Sequence, residues 1–350
     1  MLQTKNRFGR TGLHIPPVIF GTSALGNLYA ALDDHTKFSI VSECFKHVAA
    51  PVVFDSAGKY GAGLALEMLG RALHRLGTDP EHVIISNKLG WIRTELKTPE
   101  PTFEKGVWMN IHHDARQLIS YDGIMECWKQ GNNLLGGKYK PALVSVHDPD
   151  EYINAVNEKT EKEKRYKAVL EAYRALSDLK KEGKVRAIGV GAKEWRVVER
   201  ISRDVDLDWV MFANSMTIFS HPHELLSCME ILHKQDVAII NSAVFNAGFL
   251  TGGRFFNYKA IQPDTTENKR IFKWREDFMT ICRKHGIEPA VACVHFAMTP
   301  PGVTAISLNT SDPARIKSNA RLVTTEVPAS FYREMKEKKL INKDYPYLGI

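Results

Sequence analysis

Short apolar runs rich in Val and Ile recur eight times along the chain, and longer segments with helical periodicity separate most of them. The runs lie at 17–24, 51–58, 82–90, 142–150, 185–193, 209–216, 237–245 and 302–309. Such runs are typical of parallel strands that are buried on both faces. Eight strands that alternate with helices predict an α/β fold, a (β/α)8 TIM barrel made by a single domain over residues 1–350.

The segments between the runs predict the outer helices of the barrel. They lie at 38–50, 65–77, 123–137, 166–185, 195–205, 224–235 and 268–299. The clearest helical spacing is that of 166–185, and Gly183 ends it. A doubly wound sheet is the alternative, but it usually opens with GxGxxG after its first strand. Neither "GTSALGNLY" (21–29) nor "GAGLALEMLG" (61–70) has that spacing, so the barrel is favoured.

Two segments fall outside the eightfold pattern. Residues 7–17 place a Gly-centred turn between two short runs, which predicts an N-terminal β-hairpin. Residues 91–120 predict a long loop inserted after the third strand. Loops of this length are usually functional or disordered. The aromatic residues Trp91, Phe103 and Trp108 argue against disorder.

The composition is that of an ordinary globular protein, with 44% hydrophobic and 25% charged residues. No apolar run approaches the roughly 20 residues that span a bilayer, and the N-terminus lacks the pattern of a secretory signal. The five cysteines are scattered and form no CxxC pair. These features indicate reduced packing thiols in a cytoplasmic protein with no membrane partner.

The formal net charge of +7 does not by itself identify a partner. A basic balance can favour nucleic acid, but the densest charge run, at 158–165, mixes both signs, and no basic stripe is present. A phosphate-bearing cofactor explains the surplus equally well. We therefore expect a small-molecule substrate, no nucleic-acid partner, and a monomer or small homo-oligomer.

Residues that can exchange protons end three neighbouring runs. Asp55 ends the second run, Lys88 the third and His147 the fourth, and Tyr60 follows Asp55 closely. Taken singly, each could be a turn residue, a helix cap, a packing aromatic or a solvated strand end. The carboxyl ends of barrel strands meet at one mouth, where active sites are built. The coincidence of all four therefore predicts an active site.

These four residue types can act as one unit. A tyrosine hydroxyl titrates near pKa ~10, and an ammonium about 4 Å away contributes roughly 4 kcal/mol in a partly screened site. Lys88 is thus expected to favour the Tyr60 phenolate by about two or three pKa units. Asp55 can hold Lys88 charged, and His147 can orient a substrate oxygen. The result is a phenol that gives a proton to a carbonyl or takes one from an alcohol.

Proton exchange at a carbonyl oxygen requires a partner reaction at carbon. The groups "HDPD" (147–150) and "HPH" (221–223) match no zinc spacing, so we predict no metal. The remaining partner is hydride, which indicates a nicotinamide cofactor, NADP or NAD. A Schiff-base aldolase that uses Lys88 is an alternative.

At these residues the chain resembles the aldo-keto reductase family of nicotinamide-dependent barrel oxidoreductases. The resemblance spans residues 7–340 and includes "GTSALGNLY", "FDSAGKYG", "SNKLG" and "SVHDPD". It implies that Asp55, Tyr60, Lys88 and His147 form the catalytic tetrad of the family, with all four residue types intact.

Within the family, the chain is most similar to the aldose 1-dehydrogenases, which act on L-fucose, D-threo-aldoses or galactose. The similarity rests on "GNLY" (26–29), the insertion with Trp108, "SYDGIMEC" (120–127) and "VFNAGFLTGG" (244–253). It implies that the Tyr60 phenolate takes the proton of the C1 hydroxyl of a pyranose. Hydride then leaves C1, and the product is a lactone.

The resemblance also implies which residues contact the cofactor. They are Gly21, Thr22, Asp55, Asn214, Asn309, Thr310, Arg315 and Asn319. After the fifth strand the family often has Ser-Asn, whereas this chain has Gly191 and Ala192, and Asn214 could take over part of their role. After the eighth strand Asn309 replaces a lysine that many members have. Arg315 could pair with a 2′-phosphate or be a helix-surface charge, so the choice between NAD and NADP is open.

The substrate-facing candidates are Tyr60, Trp91, Trp108, His147 and Phe249. Aromatic faces suit the C–H side of a sugar ring, although the tryptophans could simply pack the insertion. An NADPH-dependent reductase of small aldehydes or ketones would use the same residues. A cofactor-binding regulatory subunit, as in the potassium-channel β-subunits, is a remote alternative, because the complete tetrad argues against it.

Overall fold

The computed structural model describes residues 1–349, and its backbone confirms the predicted barrel. The strands, in chain order, are β1 (Asn6–Arg7), β2 (His14–Ile15), β3 (Val18–Gly21), β4 (Val52–Ala57), β5 (Val83–Leu89), β6 (Trp91–Glu95), β7 (His113–Gln117), β8 (Leu143–His147), β9 (Ala187–Ala192), β10 (Trp209–Ala213), β11 (Ala238–Ser242), β12 (Phe255–Phe256), β13 (Lys259–Ala260) and β14 (Val303–Leu308). Eight of them, β3, β4, β5, β8, β9, β10, β11 and β14, pair in parallel and close into a barrel in chain order. Each predicted apolar run therefore forms one barrel strand.

Helices follow the barrel strands and cover the outside of the barrel. They are α1 (Asp34–His47), α2 (Leu64–Arg75), α3 (Tyr121–Leu134), α4 (Pro149–Asn154), α5 (Lys159–Lys181), α6 (Trp195–Asp204), α7 (His223–Lys234), α8 (Thr266–His285), α9 (Pro289–Met298), α10 (Arg315–Leu322) and α11 (Ala329–Glu337). The predicted helical segment 268–299 is in fact two helices, α8 and α9. Gly286 ends α8 in left-handed backbone at φ 64°, and Pro289 begins α9. Helices α4, α10 and α11 lie outside the predicted segments.

The strand register places the polar side chains of three strands on one face. Lys88 pairs with Ala57 of β4 on one side and with Ser145 of β8 on the other. Asp55 lies two residues before Ala57 in β4, and His147 lies two residues after Ser145 in β8. Because side chains alternate along a strand, all of these residues point to the same face of the sheet.

The amino-terminal half of the barrel interior is filled by apolar side chains. Trp209 is fully buried there, and a Cβ atom at Gly189 of the neighbouring strand would lie 2.2 Å from its ring. The predicted N-terminal hairpin is confirmed as the antiparallel pair β1–β2. It places the buried Phe8 ring 6.5 Å from the Trp209 ring. The hairpin thus closes this end, and the polar side chains collect at the other end, the mouth.

The insertion at 91–120 is not a plain loop, because β6 and β7 pair in antiparallel register within it. Its tip also pairs with the segment that follows β3. Leu28 forms a bridge with Trp108, and the Tyr29 amide donates to the Val107 carbonyl oxygen at 2.8 Å. The motifs "GNLY" and the Trp108 segment are therefore in direct contact.

Two further observations bear on the general class of the protein. None of the helices within residues 1–349 combines the length and the apolar character that crossing a bilayer requires. The five cysteines are all buried and carry free thiols, which agrees with their prediction as packing residues.

Candidate active site

The structure brings the four predicted catalytic residues together at the mouth. The Lys88 ammonium donates to the Asp55 carboxylate and, at 3.1 Å, to the Tyr60 hydroxyl. His147 presents its ring edge-on to the Tyr60 ring, with 5.5 Å between the ring centroids. Asp55, Lys88 and His147 are each 3–4% exposed. We call these four residues the tetrad.

Two glycines allow the loop after β4 to bring Tyr60 back over the mouth. A Cβ atom at Gly58 would lie 2.4 Å from the carbonyl oxygen of Trp91. Gly61 has a left-handed φ of +59°, and a Cβ atom there would lie 2.3 Å from the carbonyl oxygen of Gly26. The backbone of "AGKYG" thus approaches two other segments more closely than a side chain permits.

Hydrogen bonds from β5 and from the residue that follows β3 hold Asp55 in place. The Ser86 hydroxyl donates to Asp55 Oδ1 at 3.1 Å. The Thr22 hydroxyl donates to the Asp55 carbonyl oxygen at 3.1 Å, and the Thr22 amide donates to the same oxygen at 3.0 Å. Thr22, predicted to contact the cofactor, is therefore buried and anchors the strand that carries Asp55.

The electrostatics of Tyr60 differ from the expectation of an easily formed phenolate. Burial raises the pKa of Tyr60 above its usual value, and Lys88 opposes this effect without cancelling it. Burial lowers the pKa of Lys88, but the Asp55 carboxylate and the Tyr60 hydroxyl together outweigh this effect and hold the pKa above its usual value. Tyr60 is therefore a neutral phenol at neutral pH, and its hydroxyl accepts a hydrogen bond from the charged Lys88. Lys88 favours the phenolate in the expected direction, but the loss of hydration on burial, which the expectation left out, has the larger effect on the pKa.

His147 is an uncharged imidazole at neutral pH. Burial lowers its pKa well below the usual value, and the cations Lys59 and Lys88 lower it further. Its Nε2 atom lies 3.6 Å from Asp148 Oδ2, and its Nδ1 atom has no hydrogen-bond partner within the described chain. A neutral ring can donate one hydrogen bond to a substrate oxygen without adding charge.

A second charged cluster, which sequence analysis missed, lies beside the tetrad. Lys59 and Lys193 share the carboxylates of Asp148 and Glu151, and Lys59 also contacts Glu104 of the insertion. Lys59 directly precedes Tyr60 in "AGKYG", and this position alone only weakly predicts that Lys59 lies at the mouth. Its partners come from distant parts of the chain, and no local pattern connects them.

The structure separates the three aromatic substrate candidates. The Trp108 ring lies 5.8 Å from the Tyr60 ring and so reaches the mouth. Trp91 packs against Phe103, with 5.8 Å between the ring centroids, inside the insertion. The prediction for Phe249 is wrong, because its side chain is fully buried in the core.

Phe249 is enclosed by the cluster that follows β11. Its ring contacts Phe256 and Phe272 edge-on at 5.4 and 5.2 Å, and the Arg275 guanidinium covers it at 4.1 Å. An aromatic residue in a Gly-rich segment was compatible with exposure at the mouth or with core packing, and only the fold decides between the two.

Two tyrosines that sequence analysis did not select stand near the mouth. Tyr29 stacks on Phe255 with 5.3 Å between the ring centroids. Tyr258 lies at the tip of the hairpin β12–β13, with the Lys193 ammonium 5.6 Å from its ring centroid.

The predicted cofactor residues lie at or just beyond the carboxyl ends of β3, β4, β10 and β14 and on α10. Asn214 follows β10 in left-handed backbone at φ 62°, and its buried Oδ1 atom has no hydrogen-bond partner within residues 1–349. An orphaned acceptor of this kind fits an amide donor such as the nicotinamide carboxamide. Gly21 lies against Asn309, since a Cβ atom at Gly21 would be 3.3 Å from Asn309 Cβ.

The candidate phosphate residues lie around the start of α10. The Arg315 side chain is 74% exposed, and its Nε atom lies 3.7 Å from Asp312 Oδ2. Thr310 accepts a hydrogen bond from the Asp312 amide at 3.1 Å, and Asn319 is half-buried one turn beyond Arg315. This arrangement leaves Arg315 accessible to an anion. Among residues 1–349, no cluster of His, Cys, Asp and Glu side chains is arranged to hold a metal ion.

A closed (β/α)8 barrel with a hydrogen-bonded Asp–Lys–Tyr chain at its mouth has an active site built to exchange a proton with a bound substrate. The sequence profile of the Aldo/keto reductase family matches residues 17–339, and the chain belongs to this family. It is therefore an oxidoreductase, and its cofactor is the nicotinamide dinucleotide of the family, NAD or NADP.

Characterised relatives align along nearly the whole chain. Pyridoxal 4-dehydrogenase of Microbacterium luteolum is 25% identical over 348 residues, which are 97% of this chain and 98% of the relative. D-threo-aldose 1-dehydrogenase of a Pseudomonas species is 26% identical over 353 aligned residues, which cover 97% of this chain and 99% of the relative. The holo form of an aldo-keto reductase from Bacillus halodurans superposes with a TM-score of 0.68 at 17% identity, covering 97% and 96% of the two chains, which confirms the fold.

Proposed function

We propose that this protein oxidises the C1 hydroxyl of an aldose such as L-fucose to the lactone and transfers the hydride to NAD or NADP. The observation that carries the proposal is the hydrogen-bonded chain from Asp55 through Lys88 to Tyr60, which ends beside Trp108. The similarity to a D-threo-aldose 1-dehydrogenase supports a sugar as substrate.

Tyr60 is the group that exchanges the substrate proton. In the oxidation direction its phenolate takes the proton of the C1 hydroxyl, and the adjacent Lys88 stabilises that phenolate. Asp55 keeps Lys88 charged and aimed at the Tyr60 oxygen. Because the pKa of Tyr60 is raised, the phenolate fraction, and with it the oxidation rate, increases towards alkaline pH.

His147 and Trp108 orient the sugar. The neutral His147 ring donates a hydrogen bond to an oxygen of the substrate, and its lack of charge avoids repulsion of the nearby Lys88. The Trp108 face packs against the C–H side of the ring. Together they place C1 next to Tyr60.

Asn214 and the residues after β14 would hold the cofactor. Asn214 would offer its unpaired Oδ1 atom to the carboxamide, and the exposed Arg315, together with Asn319, would contact the adenosine end. The nicotinamide ring, when bound, supplies the acceptor for hydride.

A reductase of small aldehydes or ketones is the second candidate. The raised pKa of Tyr60 favours it, because a neutral phenol is ready to give a proton to a carbonyl oxygen at neutral pH. The same four residues can serve the oxidation of an alcohol and the reduction of a carbonyl.

The deciding experiment mixes the purified protein with each sugar in the presence of NAD and, in parallel, NADP. L-fucose, D-arabinose, L-galactose and D-galactose are tested, with pyridoxal added because of the relative from Microbacterium. Formation of reduced nicotinamide with a sugar, absent in Tyr60→Phe, supports the aldose dehydrogenase. Oxidation of reduced cofactor by small aldehydes alone supports the reductase. A stable protein partner without any turnover would support a regulatory subunit instead.

A further inference from the structure

Lys59 is a buried cation in the wall of the mouth that the proposed chemistry does not use. Its side chain is 4% exposed, and its Nζ atom lies 2.7 Å from Glu104 Oε1, 3.2 Å from Glu151 Oε2 and 3.6 Å from Asp148 Oδ2. A buried ammonium requires such partners because it has lost its hydration. Glu104 belongs to the insertion, whereas the other two carboxylates follow β8, so Lys59 joins two separate segments.

The Glu104 carboxylate connects Lys59 to the aromatic residue at the mouth. One of its oxygens faces Lys59, and the other accepts a hydrogen bond from the Trp108 indole N–H at 2.7 Å. The Glu104 backbone is left-handed at φ 42°, a conformation that costs a residue other than glycine about 1 kcal/mol. Its side-chain contacts offset that cost and hold the carboxylate in place.

The path of the chain at Trp108 is fixed independently of Lys59. The Trp108 backbone forms a bridge with Leu28, and the Met109 amide donates to the Asn27 carbonyl oxygen at 3.0 Å. Lys59 therefore acts on the orientation of the indole ring rather than on the position of the backbone. The ring in question stands 5.8 Å from Tyr60, tilted by 35°.

We propose that Lys59 is a positioning residue that determines which substrates reach Tyr60. By holding Glu104 against the segment after β8, it keeps the Trp108 indole in one orientation beside the tetrad and so sets the width of the entrance. A ring-sized substrate has to pack against that indole, whereas a three-carbon aldehyde does not. The inference about substrates rests on the proposed function, but the orientation of Trp108 does not.

The test compares Lys59→Met with Lys59→Arg, which keeps the charge and the donors. Lys180→Met is the matched control, because Lys180 pairs at 2.6 Å with the buried Asp208 at the opposite end of the barrel. The first readout is acrylamide quenching of Trp108 fluorescence, taken as the difference between each protein and the same protein with Trp108→Phe. The second is kcat/KM for the best pyranose relative to glyceraldehyde, with the Kd for the dinucleotide measured alongside.

We expect Lys59→Met to make Trp108 at least about twice as accessible to acrylamide and to lower the pyranose-to-glyceraldehyde ratio about 10-fold. Lys59→Arg and Lys180→Met should stay within about 2-fold of the wild type in both readouts, and the dinucleotide Kd should not change. Unchanged Trp108 quenching in Lys59→Met, or an equal loss for both substrates, would overturn the proposal. If the wild type turns over neither substrate, the proposed function fails, while the quenching still decides whether Lys59 positions Trp108.

Discussion

The carbonyl oxygen of Gly26 occupies the space that a side chain at Gly61 would need. A Cβ atom added at Gly61 would lie only 2.3 Å from that oxygen, and Gly61 also has a left-handed φ of +59°. The contact joins the loop after β3 to the loop that carries Tyr60. The placement of the phenol therefore depends on two residues that have no side chain.

Gly61→Ala should displace Tyr60 and lower kcat/KM about 100-fold, because a small misplacement of a catalytic group has a large effect on rate. Gly77→Ala is its matched control: Gly77 has nearly the same φ, +63°, but nothing lies within 4 Å of an added Cβ atom. The control should lose about 1 kcal/mol of stability from backbone strain and keep its activity. Steady-state kinetics and urea unfolding of both variants check this, and equal effects would refute the role of the contact.

Tyr60→Phe should lower kcat by about 10²–10⁴, the usual contribution of a general acid or base, and leave the Kd for the dinucleotide within about 2-fold. The change removes only the hydroxyl that Lys88 contacts at 3.1 Å. Stopped-flow turnover and fluorescence titration measure the two quantities. Tyr121→Phe, which removes a hydroxyl bonded to Asp178 outside the mouth, should behave as the wild type. Turnover close to wild type in Tyr60→Phe would rule out the mechanism.

Lys88→Met should lower the free energy of unfolding by about 3–5 kcal/mol, because it leaves the Asp55 carboxylate buried without its cation. The double variant Asp55→Asn/Lys88→Met should regain a large part of that loss, since no buried charge remains. Both should be inactive. Urea unfolding at neutral pH measures the stabilities, and a double variant no more stable than Lys88→Met would show that the buried charge is not the cause.

The low pKa of His147 should make the protein less stable in acid. In the folded protein this pKa lies well below the usual value, whereas in the unfolded chain it returns to about 6.5. Below about pH 6.5 the unfolded state therefore binds a proton that the folded state does not, and stability falls by up to about 1.4 kcal/mol per pH unit. His147→Gln should remove this part of the slope, which urea unfolding at a series of pH values will show. An unchanged slope would contradict the burial of a neutral imidazole.

Arg315→Leu should raise KM for NADP about 10-fold and change KM for NAD by less than about 2-fold, if Arg315 pairs with the 2′-phosphate through a charge-assisted bond. Lys317→Leu, an exposed cation two residues further along α10, is the control. Kinetics with the two cofactors distinguish the outcomes. Equal small effects from both variants would mean that Arg315 is an ordinary helix-surface charge.

Much of the fold was readable from the chain because the signals are local. Each barrel strand is a short apolar run, most of these runs are followed by a segment with helical spacing, and Gly183 marks a helix end in the sequence itself. The tetrad was readable for the same reason, since Asp55, Lys88 and His147 each end such a run. The ribbon β6–β7 was missed, because pairing across a loop of polar residues leaves no clear period.

The sequence by itself determined the barrel and the residues at its strand ends, because alternation of buried runs and helices allows few other architectures. Only the tertiary structure decided their chemistry. The pKa of Tyr60 depends on burial and on the distance to Lys88, Phe249 is excluded from the mouth by packing, and the partners of Lys59 come from separate segments. Such quantities arise from contacts between residues far apart in the chain, and Coulomb and hydration energies are set by those contacts rather than by the sequence around each residue.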